Sequence, residues 1–263
     1  MELTYSNYLK IKELINLQEL RSNPNEHDEM LFIIIHQSYE LWFKQILHEI
    51  DYLSNLLINN QLYKALHTLK RVNTILKVLV HQVDILETMT PLEFLSFRDY
   101  LESASGFQSA QFRELEFILG KKNISVFQNF TYDEYFLNKL KNRYNENTLW
   151  DNFLLFLHQN NFNIPKEILE RDKTKPYIPN TDIQKILINI YSNDPLIAQF
   201  CELLVDLDEG IQEWRYRHIK MVERTIGNKT GTGGSSGADY LKQTLFKPVF
   251  PDLWIIRTDF TKK

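Results

Sequence analysis

Long stretches of this chain repeat apolar residues every three or four positions with almost no chain breakers between them, and that pattern leaves helices as the regular structure open to it. Only 8 Gly and 8 Pro occur in 263 residues, so the breaks can be placed one by one. A first short helix is expected over residues 6–20, and Pro24, after Asn23, then opens a long one to about Leu57. QLYKALHTLKRVNTILKVLVHQVDILETM, residues 61–89, is the next. Thr90, Pro91 and Glu93 form a capping box with a first-turn proline and start a helix to about Glu102. Ser105 and Gln108 repeat the spacing and start another, which Gly120 can end. Thr131 and Glu134 give one more box, so YDEYFLNKLKNRY reads as a helix, followed by another over TLWDNFLLFLHQNN.

Pro165, Pro176 and Pro179 mark residues 163–180 as a long loop. A helix from Asp182, a break at Asn193-Asp194-Pro195 and a long helix ending at Gly227 complete the reading. No period of 20 to 50 residues recurs, which argues against a solenoid. The fold class expected is all-α: one domain over residues 1–263, built as a bundle of long antiparallel helices.

Composition narrows the function classes. Thirty Lys and Arg against 34 Asp and Glu leave no basic excess to neutralise a phosphate backbone, so nucleic acid is not an expected partner. Cys201 stands alone, which excludes a disulfide framework, and no CxxCH is present for covalent haem attachment. The opening MELTYSNYLK has no apolar signal core and no run of 18 apolar residues occurs anywhere. The expectation is a soluble cytoplasmic protein with no membrane contact.

Two histidines carry most of the chemistry. Ile211, Trp214, Met221 and Val222 surround His218 at helical spacing, so it lies on a buried stripe, where a hydrogen bond or an iron atom would equally satisfy the imidazole. His36 shares one face with Glu40 and Lys44, as in a solvated strip, yet Phe32 one turn earlier suits a ligand pocket. Arg98 has Phe94 one turn before it; its guanidinium fits a carboxylate ligand or a surface pair with Asp99 or Glu102. GTGGSSG, residues 231–237, lacks the GK[ST] ending and follows a helix, so a nucleotide loop is disfavoured. It reads as a surface linker or as a loop folding over a small ligand with the Thr232, Ser235 and Ser236 hydroxyls. There is no HExxH, and no histidine has Glu three residues before it, which removes the zinc-protease and di-iron patterns.

FIIIHQSYELWFKQILHEID (32–51), FRDYLESASGFQSAQFRELE (97–116) and RHIKMVERTIGNKTGTGGSSGADYL (217–241) together resemble the tryptophan 2,3-dioxygenases. The resemblance implies an all-helical homotetramer, a dimer of dimers, with one haem b (Fe) per subunit. Its members insert both atoms of O2 across the indole C2–C3 bond of L-tryptophan to give N-formyl-L-kynurenine, the first step of tryptophan catabolism by the kynurenine pathway. By position in these motifs, His218 would be the axial iron ligand and His36 the catalytic histidine beside the indole N–H, acting as an orienting acceptor. Phe32 and Phe94 would line the indole site, Arg98 would bind the carboxylate and Thr232 the ammonium and carboxylate end, with Ser105 near the haem. The N-terminal segment, residues 1–20, would reach a neighbouring subunit's site through Tyr5, Tyr8 and Leu9. Phe94 departs from members that carry a tyrosine there. The rival readings are a broader-specificity indoleamine dioxygenase, a non-catalytic haem- and tryptophan-binding sensor, and a plain helical scaffold.

Overall fold

The structure, a computed structural model, describes residues 3–227, 229, 242 and 244–261. Every regular element among the described residues is helical, as the apolar spacing requires. The α-helices are α1 (Tyr5–Tyr8), α2 (Ile11–Leu14), α3 (His27–Ile58), α4 (Leu62–Leu86), α5 (Pro91–Arg98), α6 (Ala110–Ile118), α7 (Glu134–Asn145), α8 (Leu149–Gln159), α9 (Lys166–Leu169), α10 (Thr181–Asn193), α11 (Pro195–Ile226) and α12 (Pro251–Ile255). No helix among them is long and apolar enough to cross a membrane.

The core forms where α3 and α11 pack along α4. Ile46, Ile50 and Leu53 of α3, Leu69, Val72 and Leu79 of α4, and Leu204, Leu207 and Ile211 of α11 are almost wholly buried. Each such side chain contributes roughly 1.5–3 kcal/mol by leaving water. Gly210 permits the close approach of α11 to α4: a Cβ there would lie 2.7 Å from Cδ2 of Leu76. Asp208 then ties the C-terminal segment to α11, its Oδ2 accepting from the Val249 and Phe250 amides and from Trp254 Nε1.

Local capping explains where most helices start. In the Thr90 box the Glu93 amide donates to Thr90 Oγ1 and the Thr90 amide to Glu93 Oε2. Thr148 and Asp151 form another box at the start of α8. Elsewhere the expected limits shift. In place of one helix over residues 6–20 there are two single turns, broken at Lys10, whose φ is +54°. Leu3, Tyr5, Tyr8, Ile15 and Leu17 face solvent, so no apolar face within this chain supports a longer helix there.

The long helix starts at His27 rather than Pro24. The Glu29 carboxylate accepts from the Arg21 and Ser22 amides and the Ser22 hydroxyl, while Ser22 Oγ accepts from the Glu26 amide, and this folds residues 21–26 as a loop. Helix α5 stops at Arg98; a 3-10 turn over Asp99–Leu101 follows, and Glu102 has a φ of +49°. The Ser105 and Gln108 box forms but starts only a 3-10 turn, and Ser109 caps α6 afresh. Gly120, at φ +91°, ends that segment as expected. Asp133 rather than Thr131 caps α7, because its carboxylate takes the Phe136 amide.

The long loop, interrupted by α9, is held to α8 by Asp151. Arg171 donates to both its oxygens at 2.8 Å, and Lys173 lies 3.3 Å away. Burial pushes the Asp151 carboxyl up, but the Arg171 and Thr148 hydrogen bonds outweigh it and hold the pKa below its ordinary value. A depressed folded pKa stabilises above the unfolded value of 3.8 and loses that contribution as pH falls through the lower folded value. Asp151→Asn is expected to cost about 3 kcal/mol at pH 7, the cost of stranding a buried cation. Urea melts at pH 7 and pH 3 check this: the gap between the two proteins should narrow at the lower pH, and an equal gap would contradict it.

Candidate active site

Helices α3, α4, α5, α6 and α11 surround a cavity of about 590 Å3, within the roughly 300–1,000 Å3 usual for small-molecule and cofactor sites. His36 enters it from α3. Its Nδ1 lies 2.7 Å from the Phe32 carbonyl oxygen, which can only accept, so Nδ1 carries the proton and Nε2 keeps its lone pair. Burial lowers the His36 pKa against the smaller upward effects of that hydrogen bond and of Glu40, so the ring is neutral at pH 7. The solvated-strip reading of this face does not hold at Glu40, whose backbone and carboxylate oxygens both accept from Gln111 of α6 at 2.8 Å.

An aromatic slot adjoins His36. The Phe32 ring lies 4.1 Å from the imidazole, 5.8 Å from Phe94 and 5.5 Å from Phe97 between centroids, and both Phe94 and Phe97 are buried. Arg98, the last residue of α5, lines the cavity beside this slot, as does Ser105 from the following loop.

His218 of α11 faces the same cavity, half-buried, its ring stacked on Trp214 at 5.2 Å and 12°. Burial, with smaller effects from His36 and Arg113, pushes its pKa down to about 4, so this imidazole too is neutral. Trp214 in turn packs on Phe112 at 4.9 Å and on Phe43 at 6.0 Å. The adjacent Arg217 points the other way and fixes the helix to α4 through Asp84 at 2.6 Å and Glu87 at 3.2 Å. Met221 and Val222, expected as core, are half-buried cavity wall.

The structure thus brings Phe32, His36, Phe94, Arg98, Ser105 and His218 to one cavity. Tyr5, Tyr8 and Leu9 stand apart from it in this chain and are exposed. Thr232 and the rest of GTGGSSG lie outside the described residues. Sequence reasoning missed a polar group on the cavity wall, comprising Arg113, Glu116, Lys121 and Arg215, and the wall made by Thr148, Trp150 and Tyr177. Arg215 alone had a legible signal, since Ile211 and Ile219 flank it at four residues on the buried stripe.

A helix-lined cavity with one neutral imidazole on its wall and a second beside an aromatic slot is the kind of enclosed, largely apolar site that holds a cofactor or small molecule. The comparison with known families makes this specific. The tryptophan 2,3-dioxygenase family model matches residues 1–172 and 177–260, and the chain belongs to that family. It is 58% identical over 257 residues to the tryptophan 2,3-dioxygenase of Herpetosiphon aurantiacus, covering 98% of both chains. It is also 49% identical to that of Anaeromyxobacter sp. strain K (97% of this chain, 95% of the relative) and 42% identical to that of an Arthrobacter species (98% and 92%).

The family is haem-dependent, and the residues present fit that cofactor. Aromatic and aliphatic side chains supply apolar walls for a porphyrin, and His218 offers a lone pair that burial keeps unprotonated. Nitrogen-15 NMR of labelled haem-free protein at pH 7 should show His36 protonated at Nδ1 only. A proton on Nε2 would contradict the assigned tautomer.

Proposed function

We propose that the cavity holds L-tryptophan beside haem b and that the chain inserts both atoms of O2 across the indole C2–C3 bond. The product is N-formyl-L-kynurenine, which begins tryptophan catabolism by the kynurenine pathway. The observation that carries this reading is the convergence of neutral His36 and His218 on one apolar cavity, in a chain matched over nearly its whole length to tryptophan 2,3-dioxygenases.

When bound, the haem would supply the iron at which O2 is activated, and His218 is the residue that would hold that iron. The chain's own groups then orient the substrate. With its Nδ1 proton committed to the Phe32 carbonyl, His36 offers Nε2 as acceptor for the indole N–H. It does not remove that proton: a ring whose basicity burial has lowered is far too weak a base for an indole. Phe32 and Phe94 flank the indole, and the Arg98 fork pairs with the carboxylate, assisted by Thr232 at the ammonium end. Phe94 has no hydroxyl to share in that contact, so Arg98 carries more of it. Ser105, which lines the cavity, would lie near the haem. Apolar walls exclude water and keep the reacting partners in place, which converts a bimolecular encounter into a positioned one.

The exposed Tyr5, Tyr8 and Leu9 suit contact with a neighbouring subunit's site, since large apolar groups on an isolated turn otherwise stay in water. We accordingly assign the chain as a single domain over residues 1–263, working in the cytoplasm as a homotetramer, a dimer of dimers with residues 1–20 shared between subunits and one haem b in each. Neither nucleic acid nor membrane is assigned as a partner.

His218→Ala should abolish haem retention, whereas His36→Ala should keep the Soret band and only weaken turnover; the converse pattern would overturn the two roles. For Arg98→Ala the Kd of L-tryptophan should rise about 100-fold, the scale of a lost charge-assisted contact, while tryptamine, which lacks the carboxylate, should bind unchanged. Titrations in which both ligands weaken equally would remove the carboxylate role.

A further inference from the structure

Arg98 is the last residue of α5, and the chain leaves the helix at once, through the 3-10 turn Asp99–Leu101 and then Glu102 at φ +49°. A side chain at a helix end is held only as firmly as the turn that follows, because the last carbonyls of a helix lack intrahelical partners. Two contacts hold this turn from opposite sides. On one, Leu101 packs against the cluster that contains Phe94 and Phe97. On the other, the Tyr100 hydroxyl donates to the Asn23 carbonyl oxygen at 2.7 Å, across 77 positions of sequence. Tyr100 is 41% exposed and is not part of the cavity lining, so its hydroxyl serves neither the core nor a ligand directly.

Asn23 is a fixed acceptor. The Arg21 and Ser22 amides donate to Glu29 Oε1 at 2.8 Å and Oε2 at 3.0 Å, and Ser22 Oγ bonds both Glu29 and the Glu26 amide. Glu29 is buried in the first turn of α3, seven residues before His36 and so near the same face of that helix. The chain before Asn23 is tied to α3 as well: Gln37, next to His36, donates to the Leu17 carbonyl at 3.1 Å and accepts from Gln18 Nε2 at 2.7 Å. A polar brace therefore runs from α3 through Glu29, Ser22 and Asn23 to Tyr100 and the end of α5. His36, assigned to the indole N–H, stands on the helix at one end of the brace, and Arg98, assigned to the carboxylate, stands at the other. One amino acid must reach both groups, so their spacing has to be set in advance, and a small displacement of either weakens the grip on the ligand.

Resting on the tryptophan reading above, we propose that Tyr100 is a positioning residue for Arg98: its hydroxyl ties the end of α5 to the loop that Glu29 fixes on α3, and thereby sets where the guanidinium stands relative to His36. Tyr100→Phe tests this, because it removes one oxygen atom at a partly exposed bond and leaves the ring in place. Calorimetric titration of the haem-loaded protein with L-tryptophan and with tryptamine, which lacks the carboxylate, is carried out in wild type, Tyr100→Phe, Arg98→Ala and the double variant. The expected result for Tyr100→Phe is a Kd for L-tryptophan raised about fivefold, the scale of one hydrogen bond, with tryptamine unchanged. In the Arg98→Ala background the same substitution should add nothing, since a residue that acts through Arg98 has no effect once Arg98 is gone. Equal weakening of both ligands, or a fivefold loss that persists without Arg98, would make Tyr100 a structural residue and overturn the proposal, as would an unchanged Kd for L-tryptophan. If Arg98→Ala alone leaves L-tryptophan binding intact, the carboxylate assignment itself fails, and that result is read from the single variant independently of Tyr100.

Discussion

The shared packing of α3 and α11 on α4 is the constraint from which the site follows. Each of the two long helices has 32 residues and buries a continuous apolar face, and the same faces that meet α4 fix how each helix is turned about its axis. A helix advances about 100° per residue, so a slip of one position would carry His36 or His218 out of the cavity. Polar contacts lock the same setting from the other side. Tyr39 donates its hydroxyl to the Leu79 carbonyl, one turn from His36, and Arg217, next to His218, grips Asp84 and Glu87. The two imidazoles thus face one cavity because the hydrophobic core leaves them no other direction.

Low polarity then decides the chemistry of that cavity. Burial is the largest influence on both histidines and on Tyr39, whose hydroxyl is pushed up to about 12, so all three stay neutral across the physiological range. Neutral groups suit a pocket that orients an indole and an iron ligand rather than one that moves protons. Charge enters the same cavity on its wall, where Arg113 and Arg215 share Glu116.

Much of this was legible in the sequence, for local reasons. The Thr90 capping box, Gly120 and the Asp194-Pro195 break act within one turn, so spacing alone locates them. His218 was placed inward by its neighbours at three and four residues, and the structure adds only that its Trp214 neighbour is a stacking partner. What failed depended on contacts distant in the chain or on competition between caps. The start of α3 is set by Glu29 reaching back to Ser22, and α7 by Asp133 displacing Thr131. Lys121 follows Gly120 in what reads as an ordinary loop, and nothing near it in sequence announces that its ammonium turns inward beside Arg215, 94 positions away.

Family membership and pocket geometry meet in one claim, that this cavity oxidises L-tryptophan at a haem held by His218. The most direct measurement is the absorption spectrum of the purified, haem-reconstituted and reduced protein, followed by addition of L-tryptophan in air. The account predicts a Soret band and the growth of N-formyl-L-kynurenine absorbance. A Soret band with no product would contradict the catalytic assignment, and no Soret band would return both histidines to the core packing that their apolar surroundings also allow.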